Sequence, residues 1–468
     1  MITKQTQSDD ALINMEPSSS SRGCYGGATL VVCAAAMVFW APVHVAGSEK
    51  LQLAYGSKLF KVWKETPTPM YLEVFMFNIT HVDDILARKE GVKLQVKEIG
   101  PYVFRETHKK VNLRWNSNNT VTFSNQRQWH FVPEKSAGLL SDKIVSVHPI
   151  IAKLGFMANN LGLGALQKMM LDVSIRSMNH SMFLSEKVSS WLFDGIYDQL
   201  VEVSRAFLPQ KPDKFGWFYG RNNSASYDGI FTINTGATDI TQLGNVEQWT
   251  SSCSTDPRVA CAVDKGSTGE LWPPGTKQKE YQVFVPELSA YLTLTRQGNV
   301  IYDVYGSGVQ YSSSDTTFDN GHKYPRMACS CEEPSTSGCP PSGMLNVTNC
   351  RYTGPLLVSL PHMLHADPYY PSKIEGLHPT PDMNYRLKID SITGLPLSIT
   401  AQLQYNLLIK HISVFSINNV FPDPDTLVPM FWYRQRMDTT LEYARLLRSI
   451  TEPTPDNKAA TMAMKSGE

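Results

Sequence analysis

The sequence predicts a mixed α+β, β-rich exterior domain carried on an N-terminal transmembrane helix, and three observations lead there. Gly23 to Ser48 contains no Asp, Glu, Lys or Arg. Beyond residue 70, short runs rich in β-branched and aromatic residues, punctuated by Gly, Asn and Pro, read as strands. Between Ile150 and Val203 the apolar period changes to that of helices.

The first stretch fixes the compartment of all the others. A helix of about 20 apolar residues covers a bilayer core, so Gly26 to Ala46 reads as a membrane anchor within residues 23–47, behind a polar, Ser-rich cytoplasmic tail over 1–22. Two rivals stay open. A buried core helix is one, although a soluble domain seldom buries so long a charge-free run all round. A cleaved signal peptide is the other, with small residues at Ala46 and Gly47.

Orientation rests on opposed signals. Lys4 and Arg22 precede the span and Lys50, Lys58, Lys61 and Lys64 follow it, which by positive-inside counting leaves the main domain in the cytoplasm. Five glycosylation sequons, at Asn78, Asn118, Asn179, Asn222 and Asn346, argue for translocation. Six cysteines confined to Cys253–Cys350 argue the same way, because an even set suits disulfides. Long domains translocate largely regardless of flanking charge, so the exterior placement prevails.

Composition narrows the function. The 468 residues carry 43 basic and 43 acidic side chains, so no net charge steers the chain toward nucleic acid. Charged residues make up 18%, below the roughly 25% of soluble domains, which fits a surface solubilised by sugar. No composition break divides residues 50–435, and one large domain is expected over 48–450.

Taken in order, Tyr71–Ile79 forms a strand. At Gly100-Pro101 the chain must turn or run along an edge, since Pro removes a donor. Val111–Trp115 and Val121–Phe123 alternate around Asn116–Asn119, the pattern of a hairpin. Val188, Trp191, Leu192, Ile196, Leu200 and Val203 predict an amphipathic helix that Ser185 caps. Met157, Met169, Met170 and Met178 read as core filling, with an adaptable lipid-contacting face as the alternative. Short strands return from Phe215 to Tyr311, with a turn at Trp272-Pro-Pro-Gly275. A last helix carries Leu441, Ala444, Leu447 and Ile450 behind a Thr439-x-x-Glu442 capping box, and a polar tail fills 451–468.

Chemistry-bearing motifs are few. No G-x-S-x-G, P-loop, H-E-x-x-H or G-x-G-x-x-G occurs, so no enzyme and no cofactor is expected. His362 and His365 lie near Pro361 and Pro368 and read as a loop rather than a metal site, and Cys329-Ser-Cys331 lacks the paired spacing of a zinc ribbon. Disulfides are the default for the cysteines.

Several segments in order resemble the class B scavenger receptor family: Glu98–Glu106 (EIGPYVFRE), Phe215–Gly236, Ser359–Pro368 (SLPHMLHADP), Ile389–Leu397 and Leu403–Ile409. The resemblance implies an antiparallel β-barrel-like core, a lipid tunnel, and an apical helical bundle over about 150–203. It implies a receptor in the plasma membrane, or alternatively the lysosomal membrane, whose partners are lipids, fatty acids, lipoprotein particles or a protein ligand at the bundle. It also implies pairing of Cys253 with Cys329 and of Cys331 with Cys339. The usual partner of Cys350 is not a cysteine here, and Cys261 is expected to take that place. The family's basic apical patch is thin in this chain, with Arg176 and Lys187 as its remaining candidates beside the Asn179 sequon. The family's second, C-terminal span has no counterpart in the polar tail, so a secreted lipid carrier and an incomplete form of a two-span receptor stand as alternatives.

Overall fold

The computed structural model describes residues 51–88, 92–202, 213–253, 266–275, 278–302, 306–331, 339–348, 354–421 and 425–451. The anchor and both tails lie outside these residues. Among the described residues no helix is long and apolar enough to cross a membrane.

Among the described residues sixteen strands carry the fold. They are β1 (Met70–Ile79), β2 (Leu94–Trp115), β3 (Thr120–Phe131), β4 (Lys143–Val147), β5 (Phe183–Lys187), β6 (Ile230–Asn234), β7 (Val246–Thr250) and β8 (Glu280–Val285). Then come β9 (Ala290–Tyr302), β10 (Gly306–Ser312), β11 (Leu345–Asn346), β12 (Leu356–Ser359), β13 (Ile374–Glu375), β14 (Arg386–Asp390), β15 (Pro396–Lys410) and β16 (Asp425–Asp438). Eleven of them run β7-β6-β3-β2-β1-β16-β15-β14-β10-β9-β8 in one sheet, with every neighbouring pair antiparallel. Its edges, β7 and β8, are bridged by Gly266–Ser267: Val246 N donates to Gly266 O at 2.8 Å, Ser267 N to Gln282 O at 3.1 Å and Phe284 N to Ser267 O at 2.8 Å. The sheet is thereby a nearly closed barrel, which removes its open edges.

β1 and much of β16 are apolar on both faces because both faces are covered. β1 is buried along almost its whole length, and Phe75 stacks on its directly paired neighbour Trp432 with ring centroids 3.9 Å apart. A cross-strand aromatic pair of this kind contributes up to about 1 kcal/mol. The 111–123 hairpin forms where its alternation placed it, with Trp115 opposite Val121 and Asn119 at φ 59° closing the turn. Pro101 runs along an edge, one of the two outcomes expected of it. It lies within β2, paired by β1 on one side, at a point where the β3 ladder has already ended at Phe104 and the β1 register shifts. A bulge, rather than a turn, absorbs it.

The helices bounded within the described residues are α1 (Lys58–Lys64), α2 (Val82–Leu86), α3 (Pro149–Asn160), α4 (Ala165–Ser177) and α5 (Leu441–Thr451). The helix expected from Ser185 does not form. Phe183–Lys187 is instead strand β5, paired with β4, and Ser190–Asp194 makes a π turn that Gly195 ends at φ 77°. Val188, Trp191, Leu192, Ile196 and Leu200 are buried, so the apolar period was real but is divided between a helical turn over 188–194, a break at 195–198 and a second helical stretch over 199–202. At α5 the cap is one residue later than read. Tyr443 N donates to Thr440 Oγ1 at 3.2 Å, while the Thr439 hydroxyl bonds Leu397 O.

Candidate functional site

One end of the barrel carries a platform made of β4, α3, α4 and β5. Pro149 opens α3, where its missing N–H costs nothing, and Ile150, Ile151, Leu154 and Ala158 bury one face of that helix. By contrast α4 buries only Asp172 and Ile175. Asp172 fastens it to the barrel: Oδ1 accepts from Ile417 N at 2.8 Å, and Oδ2 accepts from Ser416 Oγ at 2.7 Å and Arg176 Nε at 3.1 Å. The opposite face presents Leu166, Met169, Met170 and Val173, each 48–59% exposed. These methionines are therefore surface and not core filling, because no element among the described residues packs over the outer side of α4.

Beneath the platform three polar side chains meet. Asp198 Oδ2 lies 2.9 Å from His148 Nε2, and Oδ1 lies 3.1 Å from His180 Nε2 and accepts from Leu200 N at 2.7 Å. Burial raises the Asp198 pKa, but these hydrogen bonds and the neighbouring imidazoles outweigh it and hold the carboxyl below its ordinary value. The three ligand atoms lie within 4.8 Å of one another, a spacing that a metal ion would fit. Hydrogen bonds already join them, and both Nδ1 atoms, where a metal-bound imidazole usually finds a partner, are buried without one. We read the trio as a structural lock. Its sequence signal was absent, since the residues are scattered over fifty positions.

The barrel interior holds a second polar assembly. Inward positions of β2 run Phe104, Glu106, His108, Lys110, and those of β3 run Trp129, Arg127, Asn125, Phe123; Glu106 pairs with Trp129, His108 with Arg127 and Lys110 with Asn125. Arg127 lies 3.4 Å from Asp228, 3.6 Å from Glu287 and 3.9 Å from Glu106. Arg221 bonds Asp228 at 3.0 Å and also Glu287. Lys110 meets Glu270 at 2.6 Å, and the other Glu270 oxygen lies 3.1 Å from His108. Burial, then Lys110 and Arg127, push the His108 pKa well down, which keeps its ring neutral. Burial opposes the charge on Arg221, but Asp228 and Glu287 more than restore it.

A cleft opens beside the start of β2, lined by Ile85, Leu94, Phe421 and Leu427 together with Lys93 and Lys373.

The residues singled out from sequence fall in different places. Arg176 is half-exposed and engaged, donating from Nη2 to Ser416 Oγ at 2.8 Å as well as to Asp172. Lys187 is exposed on β5. Asn118, Asn179 and Asn222 are exposed, whereas Asn78 and Asn346 are half-buried. Asn78 Oδ1 accepts from Val145 N at 2.8 Å, and Asn346 Oδ1 accepts from Thr348 N at 3.0 Å. Cys331 and Cys339 form a disulfide, and buried Cys253 is disulfide-bonded. Cys261, Cys350 and the side chain of Cys329 lie outside the described residues. His362 and His365 part company: His362 Nε2 meets Glu98 at 2.6 Å and His365 Nε2 meets Asn384 at 2.9 Å.

Known proteins place this geometry. The chain is 33% identical over 385 residues to scavenger receptor class B member 1 of Mus musculus, covering 80% of this chain and 72% of the relative. Protein peste of Drosophila melanogaster is 27% identical over 405 residues, with 85% and 71% covered. Lysosome membrane protein 2 of Homo sapiens is 26% identical over 435 residues, with 91% and 87% covered. The model of the CD36 family matches residues 25–464, which takes in the barrel, the platform and the cysteine-rich segment alike. With a barrel built as described and a family match over nearly its whole length, the chain belongs to the CD36 family of class B scavenger receptors.

Proposed function

We propose that this protein is a membrane-anchored receptor that binds lipids or lipoprotein particles at the α4 platform and passes apolar cargo through the barrel toward the membrane. The exposed Leu166, Met169, Met170 and Val173 stripe carries the reading: four large apolar side chains on one uncovered helix face mark an interaction surface. Methionine suits a partner of variable shape, because its side chain is unbranched and polarisable. Removing an acyl chain from water supplies about 0.8 kcal/mol per buried CH₂. With Arg176 committed to Asp172, the platform favours apolar contact over capture of anions. The anchor is residues 23–47, the main domain is extracellular at the plasma membrane, and the lysosomal membrane is the alternative site. Asn118, Asn179 and Asn222 carry glycans most readily, given their exposure, and Cys253 pairs with Cys329 and Cys261 with Cys350.

The test is binding of fluorescent lipoprotein particles to cells displaying the full chain. Leu166→Lys with Met170→Lys should weaken binding about tenfold, since each places a charge in the contact. Unchanged binding at equal surface density removes α4 from the reading. Ala46 and Gly47 favour a second reading, a secreted carrier. Glycosylated product in the medium rather than the carbonate-washed membrane pellet would select it.

A further inference from the structure

The buried charges inside the barrel form a layer, and the layer has apolar structure on both sides. Along β2 and β3 the side chains on one side of it, Phe104 and Trp129, belong to the hydrophobic cluster beneath the platform. Those on the other side, Val121 and Phe123, belong to a separate cluster with Trp63, Phe231 and Tyr443, next to α1 and α5. Between them Glu106, His108, Lys110, Arg127 and Asn125 occupy the intervening inward positions of the two strands, and Arg221, Asp228, Glu270 and Glu287 reach in from loops. All of these except Arg127 and Glu270 are more than nine-tenths buried as residues or side chains. A layer of this kind is expensive to build, since each ion must leave water and find its partners. A β-barrel core fills readily with apolar side chains alone, so stability does not account for it.

We propose that this ionic layer is a closed gate that divides the barrel interior into two apolar compartments. Uncharged lipid entering from the platform end would be held above it until the ion pairs part. The inference rests on the proposed passage of cargo through the barrel. Its physical basis is simple: a hydrocarbon chain cannot cross the level of Arg127 and Arg221 without separating them from Glu287 and Asp228, and it offers no hydrogen bond in exchange. Among the layer's side chains, the four carboxylates Glu106, Asp228, Glu270 and Glu287 exceed the three cations Lys110, Arg127 and Arg221 by one. A fatty-acid carboxylate therefore meets a less favourable field there than a sterol does.

The test uses the detergent-solubilised full chain loaded with a diazirine-bearing cholesterol, irradiated and mapped by peptide sequencing. The gate predicts labels at Phe104, Trp129 and Tyr433 and at least fivefold fewer at Val121, Phe123 and Phe231. Arg127→Met with Glu287→Leu removes one cation and one anion and leaves Arg221 with Asp228. It should equalise labelling on the two sides. Equal labelling in the unaltered protein overturns the proposal, as does unchanged asymmetry in a double variant that still binds lipoprotein particles. Should the double variant fail to fold, the unaltered protein decides the question by itself. No label on either side, with particle binding intact, overturns passage through the barrel and the gate with it, whereas loss of particle binding alone speaks only to the platform.

Discussion

Glu98 draws two donors from distant parts of the chain, His362 Nε2 and Trp432 Nε1, each at 2.6 Å. Burial pushes its pKa up, but the two hydrogen bonds and the charges of His362 and Arg434 hold it below its ordinary 4.5. A carboxyl whose folded pKa lies below its unfolded one stabilises the fold above the unfolded value, and that contribution is lost as pH falls through the folded value. Melting temperature should therefore fall with acid below about pH 4.5 more steeply than in Glu98→Gln, and parallel curves would refute this role. Asp198 has more at stake, because it is buried and holds two imidazoles. Asp198→Ala should cost roughly 3 kcal/mol in urea unfolding, the scale for removing one member of a buried pair. A loss under about 1 kcal/mol would mean that the histidines find other partners.

At the level of elements, local rules served well where the chain's neighbours along the sequence decide the structure. The 111–123 hairpin is one such case, its alternation and Asn-rich turn being sufficient. The last helix is another, though its cap was read one residue early. Thr440→Ala should lower stability by about 1 kcal/mol through loss of the Tyr443 bond. Thr439→Ser, which keeps a hydroxyl for Leu397 O, should cost less than half of that by thermal melting. The π-turn region fails the same local rules for a clear reason. Its apolar residues recur at helical steps, but β4 offers Phe183–Lys187 a partner strand and Gly195 breaks the helical turn, which resumes only at residue 199. Likewise α4 has the same sequence period whether or not its outer face is covered. Exposure of Met169 and Met170 was thus invisible without the neighbours.

For the whole molecule, closure is the decisive event, and among the described residues it rests on one short segment. Gly266 and Ser267 hydrogen-bond both edge strands, so Ser267→Pro removes the donor to Gln282 O and should open the seam. Amide hydrogen exchange at Phe284 and Val246 should then speed up at least tenfold while β1 and β16 stay protected; unchanged exchange would show that the seam is held elsewhere. The sequence by itself determined the strand-rich class, the charge-free N-terminal stretch, the hairpin and the family, because each is written in contiguous residues. Only the tertiary structure decided which polar residues are buried. Glu106, His108 and Lys110 alternate along β2 like any solvated strand face, and Arg127 stands 160 positions from Glu287, its neighbour at 3.6 Å. Rolling the sheet into a barrel turns that face inward and brings those loops onto it. Side-chain period shows that a strand has two faces, but which face is inside is set by closure, a contact between distant parts of the chain.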